Sequence, residues 1–405
     1  MAGPLDGVRV LDLTSMVAGP VATMILADQG ADVIKIEPPG GDLMRHLSLR
    51  RNGMSAFFLS CNRNKRSLSV DLKSHDGIEI MHKLIPTADV LVHNFRPGTA
   101  ERIGLSEVTV RALRKDLVYV SISGYGESGP YSAQRAYDPV IQAMSGLADI
   151  QADKETGRPR MVRTIVADNV TALTAAQAIT AALFARGRSG QGQHVRLAML
   201  DAMIAFLWPE AMPGLTLVGD ERDPSMGEEG PDLVFATQDR YITAAALSDD
   251  EWAGMCRALK REDLLDDPRF KTSRARAYNS AERRALVASE LEQWRADEIL
   301  PRLMANDVPS APVLRRYELL NDQQVSANHL LQEYESPAYG RVRQPRPAAS
   351  FERTASSIRT LAPYLGADNA AILSGLGYTT HAISRLTRDH VIHEQPAPAA
   401  SDSAD

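Results

Sequence analysis

From Val8 to Met199 short apolar runs alternate with stretches of helical spacing, and that alternation constrains the fold more than any other feature of the sequence. Val8–Leu13, Asp32–Glu37, Ser67–Leu72, Val90–Val92, Leu117–Ser123 and His194–Met199 read as strands. Val21–Gln29, Gly77–Leu84, Val108–Leu113, Val140–Ile150 and Val170–Ala185 carry helical spacing. Strands separated by helical crossovers run parallel and are covered on both faces, so the class is α/β.

The pattern breaks between Pro209 and Asp232, where four prolines and seven acids face the single Arg222. We read 209–232 as a linker and 233–334 as a small α/β domain. In that domain Arg240–Ala245 reads as a strand, and Ser248 with Glu251 forms a capping box opening a helix to about Leu259. Residues 1–208 and 335–392 then form the large domain. The Pro-, Ala- and Ser-containing tail 393–405 has nothing to bury and is expected to be disordered.

Charge and cysteine content exclude several function classes. With 45 Lys and Arg against 51 Asp and Glu, the formal charge of −6 provides no overall field for nucleic acid or an anionic membrane. Cys61 and Cys256 cannot make a disulfide framework, and no Cys/His spacing suggests a metal site. No apolar run approaches the ~18 residues needed to span a bilayer. The expected setting is the cytoplasm.

Gly124-Tyr125-Gly126-Glu127-Ser128-Gly129 matches a dinucleotide fingerprint by letter, but Pro130, Tyr131 and Ser132 follow where a helix should open, so it reads as a loop. Asp168 follows the β-like run Arg163–Ala167 and heads the helix near Val170, where backbone N–H groups and the helix dipole keep a carboxylate ionised. Asp138 heads the preceding helix, Asp12 ends a strand, and Asp201 starts another helix. Spacing does not rank these four, and any of the helix-heading ones can be a plain cap. Lys73, Arg96, Arg102 and Arg135 all follow predicted strands, where open α/β sheets bind ligands, and such a group suits a ligand with several phosphates.

Several motifs in fixed order then carry a resemblance. They are Pro4-Leu5-Asp6-Gly7 with Gly19-Pro20, Gly30-Ala31-Asp32-Val33-Ile34-Lys35-Ile36-Glu37, Asn64-Lys65-Arg66-Ser67, Asn94-Phe95-Arg96-Pro97-Gly98, Gly190-Gln191-Gly192-Gln193-His194-Val195 and Val308-Pro309-Ser310-Ala311-Pro312. Over residues 4–386 the chain resembles the family III coenzyme A transferases, whose superfamily includes the α-methylacyl-CoA racemases. The resemblance implies a Rossmann-like large domain, an inserted small domain, ring-shaped protomers interlocked in a homodimer, and CoA transfer between an acyl-CoA and a carboxylic acid. It implies no permanently bound cofactor, with the CoA thioester as substrate. It places the nucleophile at Asp168 and CoA contacts at Val17, Ala18, Val70, Asp71, Leu72, Lys73, Asn94, Phe95, Arg96, Arg102, Arg135, Ala136, Tyr137 and Asp138. Pro38 stands where formyl-CoA transferase has an arginine. Tyr137 stands where the racemases have a histidine, and a phenol with pKa near ~10 is a poor base for an α-proton. Transfer is therefore favoured over racemisation, or over CoA binding without chemistry.

Overall fold

The apolar runs pair side by side. In the computed structural model, which describes residues 3–153, 156–221 and 233–395, they form one sheet of β1 (Arg9–Leu13), β2 (Asp32–Glu37), β3 (Lys65–Ser69), β4 (Val90–His93), β5 (Val118–Ser123) and β6 (His194–Ala198). The strand order is β3-β2-β1-β4-β5-β6 and every pairing is parallel. Strand order reverses between β1 and β4, and sheets of this order bind ligands beyond the carboxyl ends of the strands at that point.

Both faces are covered, which is why the strands read as mostly apolar runs. The main helices are α1 (Ala18–Asp28), α2 (His75–Leu84), α3 (Glu107–Leu113), α4 (Asp138–Met144), α5 (Val166–Ser189) and α6 (Met199–Ala211). Val10, Val33, Val92 and Val120 pack with Leu26 of α1 and with Ala172, Ala175 and Ile179 of α5. Their strand neighbours Leu11, Ile34, Leu91 and Tyr119 face the other way, onto Ile80, Met81 and Leu84 of α2. Each fully buried aliphatic side chain contributes about 1.5–3 kcal/mol. The alanines of α5 let it approach α1 and the sheet closely.

The chain returns to the outer edge of this sheet near its end. Val70 bridges Ile392, the Asp71 N–H donates to the Val391 carbonyl at 2.7 Å, and the Ser69 N–H donates to Asn369 Oδ1 at 2.9 Å. Positions 393–395, expected to be disordered, are held: Asn369 Nδ2 donates to the His393 carbonyl and the Gln395 N–H to the Leu365 carbonyl. Residues 396–405 of that tail lie outside the described residues.

Cα packing divides the chain into two units, the second ending at Asn328. Residues 329–334, assigned above to the small domain, group with the large one, because Leu331–Ser336 pairs with Gly340–Pro345 as an antiparallel hairpin. Pro209 lies inside α6, so the helix runs into the stretch read as linker; residues 222–232 lie outside the described residues. In the second unit Tyr241–Ala244 is the middle of three antiparallel strands, with Val234–Ala236 and Ser310–Pro312 on either side. Its helix Asp249–Leu259 opens on the expected capping box, and Phe235, Ile242, Trp252, Phe270 and Ile299 form its core.

Two further expectations are corrected. The helical stretch Val140–Ile150 is broken at Gly146, whose φ of +88° ends α4 and starts a short turn of helix at Leu147. Of the β-like run Arg163–Ala167, residues 163–165 are an irregular entry and Val166 and Ala167 already belong to α5; no strand pairs with it among the described residues. Among the described residues no helix is long and apolar enough to cross a membrane.

Candidate active site

After β1 the chain turns through Thr14–Val17 to begin α1. Met16 takes φ +69° there, a left-handed conformation that costs a non-glycine residue about 1–2 kcal/mol. Buried charges hold the turn. Asp12 Oδ1 accepts from the Thr14 N–H and hydroxyl. Lys35 Nζ donates to the Thr14 carbonyl at 3.0 Å and to Asp42 at 3.1 Å, while Asp42 accepts from the Met16 N–H. Behind these, Lys65 Nζ donates to Asp12, the Pro20 carbonyl and Asn62 at 2.8–2.9 Å, so all three of its protons are used. Burial pushes the Asp12 carboxyl up, but Lys65 and Lys35 outweigh that and hold it far below the usual range. Such a network survives burial only because each charge is paired and hydrogen-bonded.

The pinned turn aims a donor. The backbone N–H of Ala18, the first residue of α1, faces the carboxyl of Asp168 closely enough to favour its ionised form. Asp168 is half-buried in the first turn of α5, whose N-cap residue Ile165 has no side chain able to cap. Asp138 supplies the cap from α4: its Oδ2 accepts the N–H groups of Ala167 at 2.7 Å and Asp168 at 3.2 Å. Its Oδ1 accepts from Gln142 Nε2 at 2.5 Å, and Gln142 in turn accepts the Val162 N–H and donates to the Thr164 carbonyl. The N–H groups expected to hold Asp168 ionised thus go to Asp138. Burial, followed by the Asp138 charge, pushes Asp168 up to about 6, and the Ala18 N–H offsets only part of this. The result at neutral pH is an ionised carboxylate that is more basic than an ordinary one. Cys61 is no rival nucleophile, since burial pushes its thiol up to about 11.

The other expected site residues fall into three groups. Val17, Ala18, Val70 and Asp138 are buried at 4%, 4%, 0% and 3% exposure, so they present little side chain to any ligand. Leu72 and Phe95 pack partly against the core, and Phe95 stacks on His93 with ring centroids 5.1 Å apart. Asn94 is tied to Ser15, Asp71 accepts the Lys73 N–H, and Ala136 lies against Gly124, where an added Cβ would come within 2.3 Å of the Ala136 Cβ. Lys73, Arg96, Arg102, Arg135 and Tyr137 are exposed. None of the four cations forms an ion pair among the described residues, and all follow β3, β4 or β5 in the chain. Pro38, after β2, is also exposed and carries no charge. The arrangement supplies a basic carboxylate, a backbone donor beside it and loose cations, which is what acyl transfer from a phosphate-bearing thioester requires.

A cavity of about 500 Å³ extends beside Phe95 and Arg96 over one face of β4, β5 and β6. It gathers Ser121, Glu127 and His194, which the sequence reading did not connect: Ser121 Oγ lies 2.9 Å from His194 Nε2 and 3.0 Å from Glu127. His75, Asp76 and Glu79 converge at the start of α2, but they are exposed or half-exposed and Asp76 pairs with Arg385.

Residues 5–369 match CoA-transferase family III. The chain belongs to that family. The transferase is 33% identical to a succinate–glutarate CoA-transferase of Agrobacterium fabrum, over 92% of this chain and 96% of that one. It is also 33% identical to a succinyl-CoA:glutarate CoA-transferase of Homo sapiens, over 96% and 90%. Its fold matches a CAIB/BAIF family protein from Brucella suis with a TM-score of 0.81 at 32% identity, covering 93% of this chain and all of that one. The transferase is thus an enzyme that moves CoA between an acyl-CoA and a carboxylic acid.

Sequence reasoning missed the cap that Asp138 gives α5 and the buried charges behind Thr14–Ala18. The signal for the second was partly present: Asp12 and Lys35 are charges inside strands expected to be buried on both faces.

Proposed function

We propose that the transfer runs through covalent adducts on Asp168. The ionised carboxylate attacks the thioester carbonyl of the donor acyl-CoA, forming a mixed anhydride and expelling CoA thiolate. The thiolate attacks the aspartyl carbonyl, which makes an aspartyl-CoA thioester and releases the donor acid with one oxygen from Asp168. The acceptor carboxylate attacks that thioester, thiolate leaves again, and its return to the acceptor acyl carbonyl yields the new acyl-CoA and free Asp168. One thioester replaces another, so the exchange is close to thermoneutral. The observation carrying this reading is the half-buried Asp168 at the head of α5, pushed up to about 6, with the Ala18 N–H directed at it.

Lys73, Arg96, Arg102 and Arg135 would hold the phosphates of CoA, and binding energy from that remote end would fix the thioester at Asp168. Two relatives are named for succinyl-CoA and glutarate, so short dicarboxylates are the first acids to test as donor and acceptor. The large domain is read as Rossmann-like and the working assembly as a cytoplasmic homodimer.

Isotope transfer tests the chemistry. An acceptor acid labelled with ¹⁸O in its carboxylate should leave one label on the peptide containing Asp168 after a single turnover. Turnover that leaves this peptide unlabelled would falsify the covalent route, and Asp168→Ala should abolish CoA exchange in a folded protein.

A further inference from the structure

We infer that Asp138 is a positioning residue for the transfer reaction: its carboxylate, locked in place by Gln142, fixes the first turn of α5 so that the Asp168 carboxyl is presented at one place beside Ala18. This rests on the reading of Asp168 as the nucleophile.

The geometry asks for more than an ordinary cap. Residue 165 is the natural place for one, and a serine or threonine there would accept an N–H locally and without charge. The chain instead has Ile165, and it brings a buried carboxylate from 29 residues away, at 2.7 Å from the Ala167 N–H. That carboxylate is 3% exposed and both its oxygens are occupied. Gln142, also buried, holds Asp138 with one end of its amide and the approach to α5 with the other, accepting the Val162 N–H at 2.9 Å and donating to the Thr164 carbonyl at 3.1 Å. Two side chains on one turn of α4 therefore fix residues 162–168 as a unit.

A like charge beside the nucleophile is unfavourable for stability, which a neutral cap would avoid. Its effect on reactivity is the opposite, since a carboxylate of higher basicity is the better nucleophile. The charge acting on Asp168 comes from Asp138 on α4, and the Ala18 N–H of α1 acts against it. The other titratable group coupled to it is Cys61, on the helix Ala56–Asn62, which burial keeps as a neutral thiol.

The test compares full-length wild type with Asp138→Asn and Gln142→Leu, following kcat, KM and the pH profile of kcat/KM for acyl-CoA. Asp138→Asn removes the charge and turns an NH₂ group toward donors. Its kcat should fall roughly ten-fold or more, and the acid limb of its profile should move down by about one pH unit. Gln142→Leu keeps the charge but frees the clamp, so its kcat should fall by a smaller factor with the acid limb unmoved. A folded Asp138→Asn enzyme whose acid limb coincides with wild type overturns the inference. If that variant does not fold, an unchanged kcat in Gln142→Leu overturns it instead. Hydroxylamine trapping on the wild type separates the two levels: a hydroxamate at Asp168 with wild-type behaviour in both variants sinks only the role of Asp138, whereas no adduct at Asp168 during turnover sinks the parent reading.

Discussion

Ser15 and Asn94 hold each other where the strand order reverses: the Ser15 N–H donates to Asn94 Oδ1 at 3.0 Å, and Asn94 Nδ2 donates to the Ser15 carbonyl at 2.8 Å. One amide thereby joins the loop after β1, which leads to Ala18, to the loop after β4, which carries Phe95 and Arg96. Asn94→Asp keeps an acceptor but loses the donor. It should raise KM for acyl-CoA about five- to ten-fold, the worth of one net hydrogen bond, and change kcat less. Steady-state kinetics with an unchanged KM would show that the two loops hold their places without this link.

The basicity of Asp168 makes activity fall in acid. Attack requires the ionised form, so kcat/KM should drop about ten-fold per pH unit below a midpoint near 6. An acid limb centred near 4 would mean that Asp168 is not the group whose ionisation controls the reaction.

Stability responds with the opposite sign. Because folding raises this carboxyl from 3.8 to about 6, the folded state prefers it protonated. Its favourable contribution is fully present below 3.8 and is lost as pH rises through 6. Asp168→Asn should therefore raise Tm at pH 8 by about 2–4 °C and leave it nearly unchanged at pH 3.5. Differential scanning fluorimetry at the two pH values reads both outcomes.

The four exposed cations should act on the nucleotide end of the substrate alone. Alanine at Lys73, Arg96, Arg102 or Arg135 should each raise KM for acyl-CoA by up to roughly ten-fold, and less in high salt. The same variants should handle the corresponding acyl-pantetheine as wild type does. Equal losses with both substrates would remove these residues from phosphate binding.

Breaking the buried pair behind the active-site turn should be costly. Lys65→Met leaves Asp12 charged and unpaired in the interior, a loss of about 3–5 kcal/mol. The double substitution Asp12→Leu with Lys65→Met should regain much of that stability in urea denaturation. It should not regain activity, because the Thr14 N–H and hydroxyl still lose the carboxylate that holds them.

The parts of the fold that were legible in the sequence are those governed by local rules. β1, β2, β4 and β5 stand out because parallel strands buried on both faces are apolar at most positions, with charges such as Asp12 and Lys35 the exceptions, and the capping box of Ser248 and Glu251 needs only its own four residues. β3 begins two residues before its apolar run, at Lys65 and Arg66, since charges disguise a strand whose cations are paired by other strands. Arg163–Ala167 misled in the other direction: its β-branched residues suit a sheet, but strand preference expresses packing against adjacent strands, and none pairs with it among the described residues. Within the site, Asp168 could be nominated as a helix-heading carboxylate. The role of Asp138 could not, because its bonds cross 29 and 30 residues of chain. Ile165 was the available hint: a helix start without a side-chain acceptor needs one from elsewhere.

The closure of β3 by Val391 and Ile392 sets the timing of biogenesis. Positions 70–73, where the lysine proposed to grip the nucleotide stands, are completed by backbone pairing with residues synthesised some 320 positions later. A ribosome-bound chain that has already made the Asp168 helix and both loops at the crossover still lacks this rim. Substrate affinity should therefore arrive only after residues 391 and 392 have been made, and a chain cut after residue 365 would lack both the backbone partners of positions 70 and 71 and the core side chains Ile372, Leu373 and Leu386.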